Sequence, residues 1–208
     1  MTFRIEEKFF LNSKNFDNLI IWIKSNNGIA LYPERFISSL YFDTENNIAL
    51  IESEEGIIPR KKIRLRSYQK IIDFKEEVTI EKKITSEEGK YKISNKLNQK
   101  QVSKYIKKGV FISGYGVLYP KIFVSYKRYY FSINNINLNI DTNIKYNNYK
   151  KNKFTVFDSD IVLELKSSIN NNIFSIIENL PFNKRRFSKY SRGVLYLNRN
   201  RSNIINNN

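Results

Sequence analysis

The sequence predicts an α+β fold built around one large β-sheet. Seven segments alternate polar and apolar residues or are rich in β-branched and aromatic residues, whereas only four segments place apolar residues at helical spacing. With 41% hydrophobic residues, the chain of 208 residues can bury a sizeable core, so we expect a single domain over residues 1–200. A sheet of this many strands is expected to close or nearly close on itself.

The predicted elements follow one another along the chain with no linker between them. The first strand is TFRIEEKFFL, residues 2–11, and the first helix is residues 15–28, which ends at Asn27-Gly28. Further strands are predicted at residues 35–44, 61–70, 76–85, 121–131, 136–144 and 160–167, and further helices at residues 98–109, 171–182 and 185–197. The polar residues 201–208 are expected to form a disordered tail.

The composition excludes several kinds of chemistry. The chain has no Cys and no His, which rules out disulfides, thiolate nucleophiles, the usual zinc sites and His-based triads. Any metal must therefore bind to oxygen ligands. No apolar run approaches the roughly 20 residues that a membrane-spanning helix needs, so we expect a soluble, cytoplasmic protein.

The charge balance points to an anionic partner. Thirty-six Lys and Arg residues against 20 Asp and Glu residues give a net charge of +16. Nucleic acid, an acidic membrane and a phosphate compound would all suit such a charge. The chain is also rich in Asn, Ile, Lys, Tyr and Phe, as an AT-rich coding sequence would produce, so the positions of the charges are more informative than their number.

Charged residues recur at every second position in five of the predicted strands. In RKKIRLRSYQK, residues 60–70, the cations share one face of the strand and the apolar residues Ile63 and Leu65 share the other. One such strand is typical of an ordinary sheet with a solvated face. Five together favour a shared polar lumen. The alternating sets are Lys62, Arg64 and Arg66; Arg4, Glu6 and Lys8; Glu81 and Lys83; Tyr126 and Arg128; and Glu164 and Lys166.

A lumen of this kind needs a bound ion, because enclosed charges are costly unless they are paired. Cations outnumber carboxylates in the alternating sets. Lys and Arg bind phosphate oxygens, whereas carboxylates bind Mg²⁺ or Mn²⁺. The mixture therefore suits a polyphosphate anion together with a divalent metal.

Eight motifs, spread in order over residues 2–197, resemble the VTC domain, the vacuolar transporter chaperone catalytic domain of the triphosphate tunnel metalloenzyme superfamily. They are RIEEKF, SLYFDT, KIRLRSY, IEKK, YPKIFVSYKR, NIDTN, VLELK and RFSKYSRG. The resemblance implies an antiparallel tunnel of about eight strands with flanking helices. It also implies a polyphosphate polymerase that moves the γ-phosphoryl group of ATP onto a growing polyphosphate chain, with Mn²⁺ or Mg²⁺ as the metal.

The resemblance implies roles for individual residues as well. The expected catalytic phosphate contacts are Lys8, Arg64, Arg66, Arg128 and Lys189. Further substrate contacts are expected from Arg4, Lys62, Lys83, Lys92, Tyr126, Lys166, Arg186 and Ser188. The expected metal ligands are Glu164 and Glu6.

Two departures from the family pattern affect these expectations. Asn137 and Asn139 stand close to where the family commonly has an Arg, so one phosphate contact is expected to be missing. Arg4 stands where the related triphosphatases have the first carboxylate of their ExExK pattern, which favours polymerase over hydrolase. Asp43 and Asp141 could bind a metal, but an Asp before Thr at a strand end is more often a turn or a helix cap.

Several alternative functions remain open at this stage. A triphosphatase or nucleotidyl cyclase of the same superfamily would use the same scaffold, and a non-catalytic domain could bind polyphosphate or a nucleotide. The basic run KRRFSKYSRG, residues 184–193, could instead contact nucleic acid, although no nucleic-acid partner is expected beside the other motifs. Association with a membrane partner is a further alternative.

Overall fold

The structure of the chain is a computed structural model, and it describes residues 4–69, 77–150, 155–168, 173–182, 184 and 187–205. The ten strands in these residues are β1 (Arg4–Asn12), β2 (Ile29–Asp43), β3 (Arg60–Ser67), β4 (Val78–Ser86), β5 (Gly89–Leu97), β6 (Val110–Ile112), β7 (Gly116–Ile133), β8 (Ile136–Asn148), β9 (Thr155–Phe157) and β10 (Asp160–Ser168). The five α-helices are α1 (Phe16–Ser25), α2 (Ile48–Glu55), α3 (Gln99–Lys108), α4 (Phe174–Glu178) and α5 (Lys189–Ile205).

The predicted α+β class is confirmed, and each predicted strand and helix is present. Four elements were not predicted: α2, β5, β6 and β9. Strand β5 was not predicted; its residues are exposed for most of its length, Tyr91 and Ile93 included, so it lacks the buried apolar row of a typical strand. Helix α5 runs to Ile205, five residues into the segment that was expected to be a disordered tail.

The strands form one sheet in the order β1-β10-β8-β7-β2-β3-β4-β5, with β6 paired to β7 and β9 paired to β8. The pairings of β1 with β10, β10 with β8, β2 with β3, β3 with β4 and β4 with β5 are antiparallel. The expectation of a closed sheet is corrected, because within the described residues β1 and β5 are the two ends of an open path. Alternating charge predicts which face of each strand is polar. Closure of the sheet into a barrel also requires a particular strand tilt and stagger of the hydrogen-bond register, which the alternation does not predict.

The chain divides into two compact units. The first unit comprises Met1–Phe36, Tyr126–Ile144 and Asp158–Phe187. The second unit comprises Ile37–Ser125, Lys145–Phe157 and Ser188–Asn208. The prediction of one domain over residues 1–200, with one lumen that all five charged strands share, concerns both units and stays a prediction.

The core of the first unit lies between α1, α4 and the strands β1, β8 and β10. Its buried residues include Phe9, Leu11, Leu19, Ile23, Leu138, Ile140, Leu163 and Leu165. Gly28 follows α1 and lies against its last turn, where an added Cβ would lie 2.3 Å from Ile23 Cγ2 and 2.6 Å from the Ile23 carbonyl oxygen. Only glycine fits that approach. Because Leu163 and Leu165 point into the core, Glu164 lies on the opposite face of β10.

The core of the second unit lies between α3 and the strands β2, β3 and β4. Its buried residues include Leu40, Phe42, Ile63, Leu65, Val78 and Val102. Helix α3 begins with a capping box, in which the Asn98 side chain accepts from Gln101 N and the Gln101 side chain accepts from Asn98 N. Since Ile63 and Leu65 face this core, Lys62, Arg64 and Arg66 lie on the other face of β3, as predicted. Within the described residues, no helix is both long and apolar enough to cross a membrane.

Candidate functional site

Strand pairing in the second unit brings the predicted cations of three strands onto one face, which we call the cation face: Lys62, Arg64, Arg66, Glu81, Lys83 and Lys92. Lys62 lies opposite Lys83, and Lys83 lies opposite Lys92 on the next strand. Arg64 lies opposite Glu81. Directly opposed residues of neighbouring antiparallel strands point to the same face, so these side chains are neighbours.

Glu81 contacts three of these cations. Its Oε2 accepts from Arg64, with Nε at 2.8 Å and Nη2 at 2.6 Å, and its Oε1 lies 3.4 Å from Arg66 Nη1 and 3.3 Å from Lys92 Nζ. Burial alone would raise the pKa of Glu81, but the charges of Arg64, Arg66 and Lys92 outweigh burial and lower this pKa to about 2. The carboxylate is therefore ionised at neutral pH.

A second set of contacts holds Arg64 from β2. Arg64 Nη1 donates to the Tyr41 hydroxyl at 2.8 Å, and the guanidinium lies over the Tyr41 ring, 5.7 Å from its centre. The Tyr41 ring stacks on Tyr190 of α5 with ring centres 5.5 Å apart. The Tyr190 hydroxyl donates to Asp43 Oδ2 at 2.6 Å, and burial together with this carboxylate raises the pKa of Tyr190.

Asp43 acts as a helix cap, which was the favoured interpretation of this residue. Its Oδ1 accepts from Thr44 N and from Ala49 N, and its Oδ2 accepts from Leu50 N. These bonds satisfy backbone groups at the start of α2. With Tyr190 as a fourth donor, Asp43 is fully occupied by structural contacts inside the second unit.

Lys62 and Ser188, two predicted substrate contacts, lie together. Lys62 Nζ donates to Ser188 Oγ at 2.9 Å and to Ser53 Oγ at 2.6 Å. Ser188 precedes α5, and its Oγ accepts from Ser191 N at 3.3 Å, which is the geometry of an N-terminal cap. Lys189 is the first residue of α5. Lys62 is thus already held by two hydroxyl groups.

The first unit contains a separate cluster around Glu164. This buried carboxylate lies 3.2 Å from Lys166 Nζ, 3.5 Å from Lys8 Nζ and 3.5 Å from Arg128 Nη2, and Lys8 Nζ also lies 3.3 Å from Glu6 Oε1. The strand register accounts for the cluster, because Lys8 lies opposite Glu164 and Glu6 lies opposite Lys166. Burial would raise the pKa of Glu164, but the charges of Lys166, Lys8 and Arg128 together hold it well below its usual value.

Arg128 is held by a bidentate ion pair with Asp141. Arg128 Nε donates to Asp141 Oδ1 at 2.5 Å, and Nη2 donates to Oδ2 at 2.7 Å. The interpretation of Asp141 as a turn or cap residue was wrong, because Asp141 lies inside β8 and is completely buried. A buried arginine requires such a partner. The Arg128 guanidinium also lies 5.3 Å from the centre of the buried Tyr126 ring.

The donor set around Glu164 fits a divalent metal in its chemistry. Glu6 and Glu164 supply carboxylate oxygens only, and Mg²⁺ and Mn²⁺ are commonly held by one or two carboxylates, with water and substrate phosphates as the other ligands. Within the described residues there is no group of three acidic side chains that could hold a metal by itself. The site would therefore depend on phosphate oxygens to complete the shell.

The remaining predicted residues are placed as follows. Lys166 lies opposite Asn137, and Glu164 lies opposite Asn139, so the two departures from the family pattern border the Glu164 cluster. Arg4 of β1 pairs through its backbone with Ser168 of β10, but the structure does not describe the Arg4 side chain. Arg186 lies outside them altogether.

The sequence does not predict which residues hold the cations: Tyr41, Ser53, Glu81, Asp141 and Tyr190. For Glu81 it predicts a place on the charged face but no partner. Tyr41 carries a usable signal, because it alternates with Asp43 along SLYFDT and so lies on the face of β2 away from Leu40 and Phe42. Ser53 and Tyr190 lie on helices, and the sequence does not predict which strand residues these helices contact.

Comparison with solved structures shows a shared fold, in three cases over nearly whole chains. A candidate adenylate cyclase from Bacillus halodurans has 15% identity and a TM-score of 0.60, and covers 90% of this chain and 94% of its own. One from Vibrio parahaemolyticus has 12% identity and a TM-score of 0.53, covering 90% and 95%. The candidate adenylyl cyclase of Hippeastrum, which has a dominant triphosphatase activity, has 12% identity and a TM-score of 0.52, covering 93% and 95%.

The sequence comparison is more specific than the shared fold. None of the curated proteins matches the chain. The family model of the VTC domain matches residues 3–114 and 110–198, which together span nearly the whole sequence. This chain therefore belongs to the VTC domain family.

Proposed function

We propose that the chain is a polyphosphate polymerase, which transfers the γ-phosphoryl group of ATP to the end of a polyphosphate chain with a divalent metal. The eukaryotic VTC domains that the sequence resembles carry out this reaction. The observation that carries the proposal is the cation face, where two arginines and three lysines from β3, β4 and β5 share one face with a single carboxylate. Such an excess of ordered cations suits a linear phosphate anion.

The two kinds of cation contribute differently to binding. The guanidinium groups of Arg64 and Arg66 present fixed pairs of donors that match phosphate oxygens. Lys62, Lys83 and Lys92 form a row of like charges across three strands, and directly opposed like charges destabilise a sheet. A phosphate chain along the row would remove that repulsion. Binding energy is therefore available at this face.

The reaction breaks the bond between the γ-phosphorus and the oxygen that bridges it to the β-phosphate, so that ADP leaves. A terminal oxygen of the polyphosphate chain forms the new bond to the γ-phosphorus. Because that acceptor oxygen is already ionised at neutral pH, the protein has no proton to remove. Transfer then depends on alignment and charge neutralisation, which a chain without His or Cys can supply.

Glu164 and Glu6 are the residues that would hold the metal. A divalent ion supplies charge neutralisation at the phosphate oxygens during transfer. Glu164 remains ionised because Lys166, Lys8 and Arg128 surround it. Those cations also hold the carboxylate in place, with Lys8 bridging Glu6 and Glu164.

The test is to incubate the purified chain with ATP and Mn²⁺ and to separate the products. We expect ADP and phosphate chains of increasing length. Free phosphate alone would identify a triphosphatase, a cyclic nucleotide would identify a cyclase, and no product with retained triphosphate binding would identify a binding domain. Each of these three results would contradict the proposal.

Two variants make the assay specific for the site. The Arg64→Ala, Arg66→Ala double variant should lose chain synthesis. It should also bind inorganic triphosphate at least about ten-fold more weakly, because each substitution removes charge-assisted hydrogen bonds to phosphate. Arg35→Ala is the matched control, because Arg35 is an exposed arginine that contacts the Tyr32 ring and belongs to neither cluster. Unchanged triphosphate affinity in the double variant would remove the cation face from the proposal.

A further inference from the structure

Glu81 has an unusual place among the cations of the second unit. It is the one carboxylate among the six residues of the cation face, and it contacts Arg64 and Arg66 of β3 and Lys92 of β5 from its position on the strand between them. Each oxygen is used, since Oε2 accepts from Arg64 while Oε1 faces Arg66 and Lys92. One side chain thus joins cations from two neighbouring strands.

The exposure of these side chains shows which of them a ligand can reach. The Glu81 side chain is 4% exposed, whereas the Arg64 side chain is 21% exposed and the Lys92 side chain is 50% exposed. Glu81 therefore lies beneath the cations and away from the space that a phosphate chain would enter. This arrangement argues against a carboxylate that competes with phosphate for the arginines.

The hydrogen bonds of Arg64 determine how its guanidinium is oriented. Glu81 takes Nε and Nη2, and the Tyr41 hydroxyl takes Nη1. These contacts hold the guanidinium on both sides of its planar fork. Arg64 therefore has one orientation before any ligand arrives.

We propose that Glu81 is a positioning residue that orders Arg64, Arg66 and Lys92 as one phosphate-binding set, an inference that rests on the proposed function of the cation face. Glu81 itself does not touch the substrate. It offsets the mutual repulsion of three cations and fixes the fork of Arg64, so that binding does not have to order these groups. Glu81 acts by holding the cations in a fixed geometry. This role differs from the effect of its negative charge alone, which would weaken the binding of an anion.

Glu81→Gln separates these two roles by the direction of its effect. The variant keeps the shape of the side chain but makes the site more positive by one charge. If Glu81 acted only through its charge, the affinity for inorganic triphosphate would rise. Loss of positioning predicts that affinity falls about ten-fold, as expected when charge-assisted hydrogen bonds that fix a site are removed. Isothermal calorimetry with inorganic triphosphate measures the difference.

Glu77→Gln is the matched control. Glu77 forms an ion pair with Lys96 of β5 at 3.1 Å, but both side chains are exposed and Glu77 makes no ion pair with an arginine in the described residues. The control changes the net charge by the same amount, so its triphosphate affinity should stay equal or rise slightly. An equal loss of affinity in both variants would overturn the assignment, and so would unchanged or tighter binding by Glu81→Gln.

A measurement on the unaltered chain covers the case in which Glu81→Gln does not fold. The Nε–H groups of arginines give separate nuclear magnetic resonance signals, which Arg64→Lys and Arg35→Lys variants can assign. We expect the Arg64 Nε–H to be as rigid as the backbone in the ligand-free chain, and the exposed Arg35 Nε–H to be mobile. A mobile Arg64 head in the absence of ligand would overturn the positioning role.

The two experiments also distinguish this inference from the proposed function. If the unaltered chain does not bind triphosphate, the proposed function fails and the positioning role fails with it. If the chain binds triphosphate but Arg64 is mobile or Glu81→Gln binds as well as the unaltered chain, only the positioning role fails. Weaker binding by Glu81→Gln together with a rigid Arg64 supports both.

Discussion

At the scale of single residues, a buried carboxylate pairs with arginine in each unit: Glu81 with Arg64 and Arg66 in the second unit, and Asp141 with Arg128 in the first. A buried carboxylate is costly unless it is paired and hydrogen-bonded, and a buried arginine is costly for the same reason. Each partner therefore requires the other. This mutual dependence makes the two pairs sensitive both to substitution and to pH.

Glu81 should make stability depend on pH in acid. Its pKa is lowered from 4.5 to about 2 by folding, so its contribution is fully present above pH of about 4.5 and is lost as the pH falls towards about 2. The contribution is on the order of 3 kcal/mol. Urea unfolding should show that the unaltered chain and Glu81→Gln differ in the free energy of unfolding. This difference should shrink as the pH falls from about 4.5 to about 2. A difference that is constant with pH would contradict the assigned cause.

Glu164→Gln should damage turnover more than nucleotide binding. The substitution keeps the shape but removes the charge that would bind the metal, so Mn²⁺-dependent chain synthesis should fall by at least about 100-fold. Nucleotide binding without metal should persist or tighten, because an anion has left the neighbourhood of Lys8, Lys166 and Arg128. Product assays and calorimetry measure the two effects.

A plain salt bridge is the competing role for Glu164. In that case Glu164→Gln would lower the thermal stability and would leave Mn²⁺-dependent turnover per folded molecule unchanged. Glu7→Gln is a suitable control, because Glu7 of β1 forms an ion pair with Lys184 and does not contact Glu164. Unchanged turnover in Glu164→Gln would exclude the metal role.

At the scale of secondary-structure elements, the first turn of α5 is tied to the sheet of the second unit. Ser188 accepts from Lys62, and Tyr190 stacks on Tyr41 and donates to Asp43. Two side chains of the cation face, Lys62 and Arg64, are therefore linked to this turn either directly or through Tyr41. The position of the helix start and the order of the cations should change together.

Tyr190→Phe tests this link. The variant removes a 2.6 Å hydrogen bond to a completely buried carboxylate, so it should lower the free energy of unfolding by about 1–3 kcal/mol. It should also weaken triphosphate binding, because Tyr41 loses a fixed stacking partner beside Arg64. Chemical unfolding and calorimetry measure the two effects. Tyr119→Phe removes an exposed hydroxyl and is the control; equal effects in both variants would show that the buried bond is not responsible.

Element by element, the sequence predicted more of the fold than of the site. Apolar alternation located the strands that have one buried face, and helical spacing located the helices that cover them. The exposed strand β5 and the short helix α2 lack those signals. The contact of Lys62 with Ser53 joins residues 9 positions apart and depends on how a helix docks on the sheet. The contact of Arg128 with Asp141 joins residues 13 positions apart and depends on strand register. No local sequence pattern encodes either contact.

At the scale of the whole molecule, a net charge of +16 should govern the strength of polyanion binding. Raising the salt concentration from about 0.1 M to about 1 M shortens the Debye length from about 10 Å to about 3 Å, which screens exposed charges. The affinity for inorganic triphosphate should fall steeply over this range. Buried pairs such as Arg128 with Asp141 are screened much less, so the free energy of unfolding should change little.

Calorimetry and urea unfolding at both salt concentrations provide the check. The same titration is then repeated with a DNA duplex at equal charge concentration. A specific phosphate site should keep measurable triphosphate affinity at high salt through its fixed arginine donors, while DNA binding disappears. Tighter binding of DNA than of triphosphate at every salt concentration would contradict the proposed ligand class.

The position of β5 at the end of the sheet has a consequence for how the protein behaves at high concentration. An end strand carries unpaired backbone donors and acceptors on its outer edge, and such an edge can recruit a strand from a second molecule. Lys90, Lys92 and Lys96 alternate along β5 and are exposed. Two such edges brought together would place lysine rows side by side, and their repulsion opposes aggregation through this edge.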